Sequence, residues 1–200
     1  MIGETQRLRI FCTGVGGQGT LTATNLLAKT ALLFGIEVVA GEVHGMAQRG
    51  GVVESVILLG GWQSPKLDYG EADLLLGFEP LETLRALPYL RQGGSVVSST
   101  NILPPLSVSL GKANYPSIEL IKQEVQSKAK QAFFLPCRSL GKQAGSVQSG
   151  NTALLGAACA LKLFPFGLAE LQKGIQTFLS EKIQATNLQA LALGAQAVQG

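Results

Sequence analysis

"TGVGGQGTLTATNLLAKTALL", residues 13–33, decides how the rest of the chain is read. It contains Gly14-Val15-Gly16-Gly17-Gln18-Gly19, which fits the G-x-G-x-x-G template. The apolar run Leu8–Cys12 precedes it and suits a buried strand. Leu21, Leu26, Leu27, Ala31 and Leu32 follow at helical spacing, and Gly35 stops the helix. Glycines between a strand and a helix let the backbone approach a phosphate, and the helix start offers free N–H groups. A second strand at Ile36–Ala40 completes a βαβ start and predicts a parallel sheet, with Glu42 available for ribose hydroxyls. A free-standing dinucleotide protein, binding NAD or a flavin, is therefore one reading. The extra Gly17 and the Gln18 amide count against it, because they put a polar group at the turn facing whatever the loop contacts.

Outward from this unit, the β-branched run 52–59 predicts a third strand, ended by Gly60-Gly61. Leu74–Leu76 predicts a fourth, and a helix opens at Pro80 and runs to about Leu90. Ser95–Ser99 reads as a fifth strand, and Leu106–Leu110 as a possible edge pairing after Pro104-Pro105. Ser117 caps an amphipathic helix to about Lys130, and Ala132–Leu135 is a sixth strand. Asn151–Leu163 and Gly167 to about Ile183 read as helices, with a helical end beyond. The expectation is one domain over 1–200: three-layer α/β, a mostly parallel or mixed Rossmann-like sheet, and a helical C-terminal third.

Hydrophobic residues make up 46% of the 200-residue chain and charged residues 14%, against a usual ~25%. So uncharged a surface suggests cover by partner subunits, self-association included, the alternative being a well-packed monomer with a neutral surface. The net charge of +3 is scattered, with no basic stripe, which argues against nucleic acid. No apolar signal core and no membrane-length run is present, so no membrane is expected and the location expected is cytoplasmic. Cys12, Cys137 and Cys159 are far apart and form no C-x-x-C, so neither zinc nor an iron–sulfur cluster is expected on this chain alone.

The second strand runs into "GEVHGMAQRGG", residues 41–51, whose loop should share one rim with the first. Arg49 can fork onto a phosphate or carboxylate, or pair with Glu42. His44 is the one histidine, the residue type whose unperturbed charge change falls near neutral pH. Gln18 and Gln48 can hydrogen-bond a substrate amide or a partner's backbone, and Gly45, Gly50 and Gly51 flank them. Glu79, before Pro80, belongs to the same rim, and Glu82 with Arg85 reads as a helix-surface pair. Asn151 reads as the cap of an apolar helix buried in the core or under another subunit. Trp62 either anchors an interface or covers the local core.

Together, "GVGGQGTLTATNLLA", "GEVHGMAQRGG", "ADLLLGFEPLETLRALPYL" and the later "GNTALLGAACAL" resemble the gamma-type domain of 2-oxoacid:ferredoxin oxidoreductases over residues 8–185. The His-Gly-Met-Ala-Gln-Arg-Gly-Gly form is most similar to the indolepyruvate (aryl-pyruvate) branch. That resemblance implies an accessory subunit of an enzyme that oxidatively decarboxylates a 2-oxoacid to an acyl-coenzyme A. It implies a large partner holding thiamine diphosphate, Mg2+ and 4Fe–4S clusters, with ferredoxin reached through the complex. No cofactor is expected on this chain alone, and its glycine loop would face a subunit or coenzyme A. The resemblance gives a Glu at position 79. It also gives an Arg in the third strand, where this chain has Val56-Ile57-Leu58-Leu59. That departure leaves open a non-catalytic homo-oligomer of the same fold.

Overall fold

The computed structural model describes residues 7–44, 51–104, 106–111 and 114–199. Strands β1 (Leu8–Val15), β2 (Val38–His44), β3 (Val52–Leu59), β4 (Ala72–Gly77), β5 (Leu90–Ser99) and β6 (Gln131–Leu135) form one sheet in the order β2-β3-β1-β4-β5-β6. β1, β4, β5 and β6 run parallel, whereas β3 is antiparallel to both β1 and β2. The sheet is therefore mixed. The predicted βαβ start is present, but β3 lies between its two strands.

Helices α1 (Thr20–Leu33), α2 (Pro80–Arg85), α3 (Leu106–Ser109), α4 (Ile118–Lys128), α5 (Cys137–Gln143), α6 (Gly150–Ala160), α7 (Leu168–Phe178) and α8 (Glu181–Gln196) follow the strands or close the chain. Successive strand residues point to opposite faces. Ile10, Cys12, Leu74 and Leu76 thus pack with α1, α6 and α7, while Phe11, Leu75 and Val96 pack with Ile121 and Val125 of α4 on the other face. Three layers result.

The apolar α6 is buried inside the chain, against α8. A Cβ on Gly156 would lie 2.2 Å from the Leu191 carbonyl oxygen, and one on Gly194 would lie 1.8 Å from that of Ala153. These two glycines let the helix backbones touch. α1 ends as expected: Gly35 at φ 76° closes it, with Ile36 N–H bonded to the Ala31 carbonyl at 3.0 Å. Ser117 caps α4 through Leu120 N–H at 3.2 Å.

Several boundaries differ from the sequence expectation. The helix at Pro80 stops at Arg85, since Pro88 has no N–H to continue its ladder; a 3-10 turn over Leu87–Tyr89 leads into β5. Residues 106–109 are helical rather than an edge strand, with prolines just ahead and Gly111 after. The helix expected from Gly167 breaks at Leu179-Ser180, both extended, and Gln184 Nε2 caps the exposed carbonyls of Gln176 and Leu179. α5 had no expectation behind it. Trp62 covers the local core, with Nε1 donating to the Leu59 carbonyl at 3.0 Å and the Arg7 and Arg9 guanidinium groups over its ring.

Candidate functional site

The glycine loop joins the end of β1 to the start of α1. Gln18 N–H bonds to the Val15 carbonyl at 3.1 Å, and Gly19 is the N-cap of α1 at φ 78°, a left-handed position that favours glycine. Gly14 is held by close approach, since a Cβ there would lie 2.7 Å from Thr20 Oγ1. Gly16 N–H bonds to the Gly51 carbonyl at 2.9 Å, tying the loop to the start of β3. His44 ends β2 opposite Val53 on the same edge. The first loop and the described ends of the second therefore form one rim, while Gly45, Gln48, Arg49 and Gly50 lie outside the described residues.

Gln18 does not face outward as expected. Its Oε1 accepts from Val15 N–H at 2.8 Å and its Nε2 donates to the Phe78 carbonyl at 3.4 Å, so the amide braces the loop from within. Asn151 is not the cap of α6, whose N-cap is Ser149. Its Nδ2 instead donates to the Gln18 carbonyl, fastening α6 to the glycine loop. Gly17 keeps open space around its Cα.

Glu42 is misplaced for a ribose. It stands opposite Ser55, which in turn stands opposite Cys12, so it lies inside the sheet register with all of β3 between it and β1. Two strand spacings amount to about 10 Å. The dinucleotide fingerprint needs the two strands adjacent. The strand order removes that use of the motif.

Glu79 sits beneath the rim as the N-cap of α2, fully buried. Its Oε2 accepts from Glu82 N–H at 3.0 Å, and its Oε1 accepts from the Tyr115 hydroxyl at 2.5 Å and from Leu103 N–H at 3.3 Å. One carboxylate thereby holds α2 and two segments of the 100–116 connection. Tyr115 carried no signal in the sequence beyond being an aromatic between loop residues. Burial pushes its hydroxyl pKa well up, and the Glu79 carboxylate adds to that. Glu82 and Arg85 are not a surface pair: the Glu82 side chain is 1% exposed, and Arg85 reaches it at 2.8 Å. Burial raises the Glu82 pKa, opposed by Arg85.

Beside the rim is a cleft of about 230 Å3, lined by Gly17, Gln18, Gly19, Gln148, Asn151 and Ile183 among others. Among the described residues, its lining side chains are all uncharged. It offers amides, hydroxyls and apolar carbon, which can bind or pack but cannot move a proton at neutral pH. Iron–sulfur clusters need thiolates. Cys12, Cys137 and Cys159 are buried, and burial pushes the thiol pKa of Cys137 and of Cys159 up to about 12, with that of Cys12 raised further. Among the described residues, no group of three or more His, Cys, Asp and Glu could hold a metal ion. These residues fit neither a cluster nor the Mg2+ of thiamine diphosphate. No described helix is long and apolar enough to cross a membrane.

The sequence profile of the pyruvate ferredoxin/flavodoxin oxidoreductase family matches residues 9–197. The chain is 40% identical over 193 residues to the indolepyruvate oxidoreductase subunit IorB of Pyrococcus horikoshii, covering 94% of each. Its fold is similar to that of the pyruvate oxidoreductase subunit PORC of Thermotoga maritima, with a TM-score of 0.72 at 18% identity over 96% and 97% of the two chains. It is also similar to a 2-oxoglutarate:ferredoxin oxidoreductase of Magnetococcus marinus, solved with 2-oxoglutarate, coenzyme A and succinyl-CoA bound. There the TM-score is 0.71 at 20% identity, and the match covers 97% of this chain but 31% of that one.

Proposed function

The chain belongs to the pyruvate ferredoxin/flavodoxin oxidoreductase family, and on that premise we propose that it is the small accessory subunit of an indolepyruvate-type 2-oxoacid:ferredoxin oxidoreductase. The observation that carries the reading is end-to-end similarity to subunits of that name, at 40% identity over 94% of both chains for one of them. The chemistry of the rim agrees. Gln18 and Asn151 hold the glycine loop from inside, and Glu79 is enclosed by its own hydrogen bonds. This leaves a shaped surface beside an uncharged cleft, with no acid–base pair among the described residues of that cleft.

In this reading the large partner supplies thiamine diphosphate, Mg2+ and the 4Fe–4S clusters, which provide carbanion stabilisation and electron transfer. This chain's residues shape and close a wall of the shared site. Ile102 and Leu103 are 47% and 40% exposed beside the Glu79 network, with Leu120 of α4 also exposed. An apolar face of this kind suits a subunit contact. His44, Gln48, Arg49 and the glycines Gly14–Gly19 and Gly45–Gly51 are the residues assigned to the rim facing the partner, with coenzyme A and ferredoxin met only in the complex.

Affinity-tagged chain isolated from its own cells at low salt tests this. The expected eluate contains a large subunit carrying thiamine diphosphate and iron, together with oxoacid-dependent ferredoxin reduction. The chain isolated alone, or carrying a nicotinamide or flavin, would overturn the reading.

A further inference from the structure

A second cavity, of about 270 Å3, lies at the opposite end of the strands, where β1 begins. The length of β1 puts it about 23 Å from the glycine rim at ~3.3 Å per residue. Arg91, Lys130, Lys162, Asp73, Ser95 and Gln131 supply its polar wall. Asp73 is already neutralised: it accepts from Arg9 N–H at 2.7 Å and from Arg91 Nε at 2.5 Å. Glu71 is drawn to Arg9 at 3.5 Å. Neither Lys130 nor Lys162 has an ion-pair partner among the described residues. Two lysines thus line one cavity whose described carboxylate, Asp73, is already held by Arg91.

The backbone is irregular on both sides of this cavity. Lys162 has φ 56°, the one positive φ at a non-glycine among the described residues. It occupies the position after α6 where glycine is usual, with Lys162 N–H bonded to the Cys159 carbonyl at 2.9 Å and Leu163 N–H to that of Ala158 at 3.1 Å. Attraction to the helix dipole explains a lysine near this end but not one in the left-handed conformation. Across the cavity, the β4–β5 pairing shifts register between Ala72 and Leu74, and Gly93 turns at φ 77°. Such bulges re-aim side chains. Gln131 Nε2 donates to Ser95 Oγ at 3.0 Å, which leaves the buried Ser95 hydroxyl a proton to give.

We propose that this cavity binds a phosphate-bearing anion of about diphosphate size, held by the Lys130 and Lys162 ammonium groups with Ser95 as a neutral donor. The phosphate is either free or carried by a nucleotide. The site stands independently of the accessory-subunit reading.

Calorimetric titration of the full chain with inorganic pyrophosphate, and separately with ADP, at constant ionic strength tests it. Saturable binding is expected for at least one. Tighter ADP binding identifies a nucleotide as the source, and pyrophosphate binding alone identifies the free anion. Lys130→Gln and Lys162→Gly should each weaken binding about tenfold. The glycine variant suits the left-handed backbone, so its folding is not at risk. No saturable heat with either probe, or unchanged binding in both variants, would overturn the proposal.

Discussion

The side-chain amide of Asn151 donates a hydrogen bond to the backbone carbonyl of Gln18, 133 residues earlier in the chain. It is the clasp between the apolar helix α6 and the glycine loop. Asn151→Ala should lower stability by about 1–2 kcal/mol, since the half-buried carbonyl loses its donor. Urea unfolding measures this. Asn151→Asp should cost more, because a carboxylate beside a carbonyl repels it, and an unchanged midpoint in both variants would remove the clasp.

Tyr115 and Glu79 should behave as a coupled pair. Tyr115→Phe removes one of three donors to Glu79 and should cost about 1–2 kcal/mol. Glu79→Ala leaves the Tyr115 hydroxyl and the N–H groups of Glu82 and Leu103 without their acceptor and should cost about 3 kcal/mol or more. A double-mutant cycle should return a coupling of about 1–3 kcal/mol. Additive effects would mean that the two side chains do not interact.

Glu82 gives stability a definite pH sign. Burial raises its folded pKa above the ordinary 4.5, so the fold prefers the neutral acid. The benefit of protonation is fully present below about pH 4.5 and is lost as pH rises through the raised value. Relative to wild type, Glu82→Gln should therefore become progressively more stable as pH rises from 4.5, then level off. Chemical denaturation of both proteins at a series of pH values reads this directly, and a flat or falling difference would contradict it.

The α6–α8 contact should be intolerant of a single methyl group. In Gly194→Ala the new Cβ would begin 1.8 Å from the Ala153 carbonyl oxygen, so the helices must separate. A loss of about 2–3 kcal/mol is expected, seen as a lower melting temperature. Ala192, on the same helix and exposed, is the control position, and Ala192→Ser there should change little.

How much of this was legible in the sequence depends on whether the determinant is local. The glycine turn, the Gly35 stop and the Ser117 cap were, because each is decided within a few residues. The strand order was not. β3 reverses and inserts between β1 and β2, and nothing in Val52–Leu59 states which neighbour it takes; hence the sequence alone leaves Glu42 available to a ribose. Gln18 and Asn151 stand out in the sequence but their partners do not, because Phe78 and the loop carbonyl reach them only in the folded chain. Tyr115 lies 36 residues from Glu79, and no spacing rule links them. The third-strand residues Val56–Leu59 are buried in the sheet, which accounts for their apolar character there.

The inserted β3 also has a consequence for the order of synthesis. β1, the first strand of this sheet in chain order, is an interior strand whose neighbours are β3 and β4. Its hydrogen-bonding edges stay open until residues 52–59 and then 72–77 have been translated. At ~5–20 residues per second the second edge waits roughly 3–12 s after β1 is complete. During that interval Leu-Arg-Ile-Phe-Cys is an unpaired, largely apolar ribbon, the kind of segment that captures a strand from another nascent chain. The α1 helix, which follows at once and covers one face of β1, is the nearest shield available, so its early formation guards yield as well as architecture.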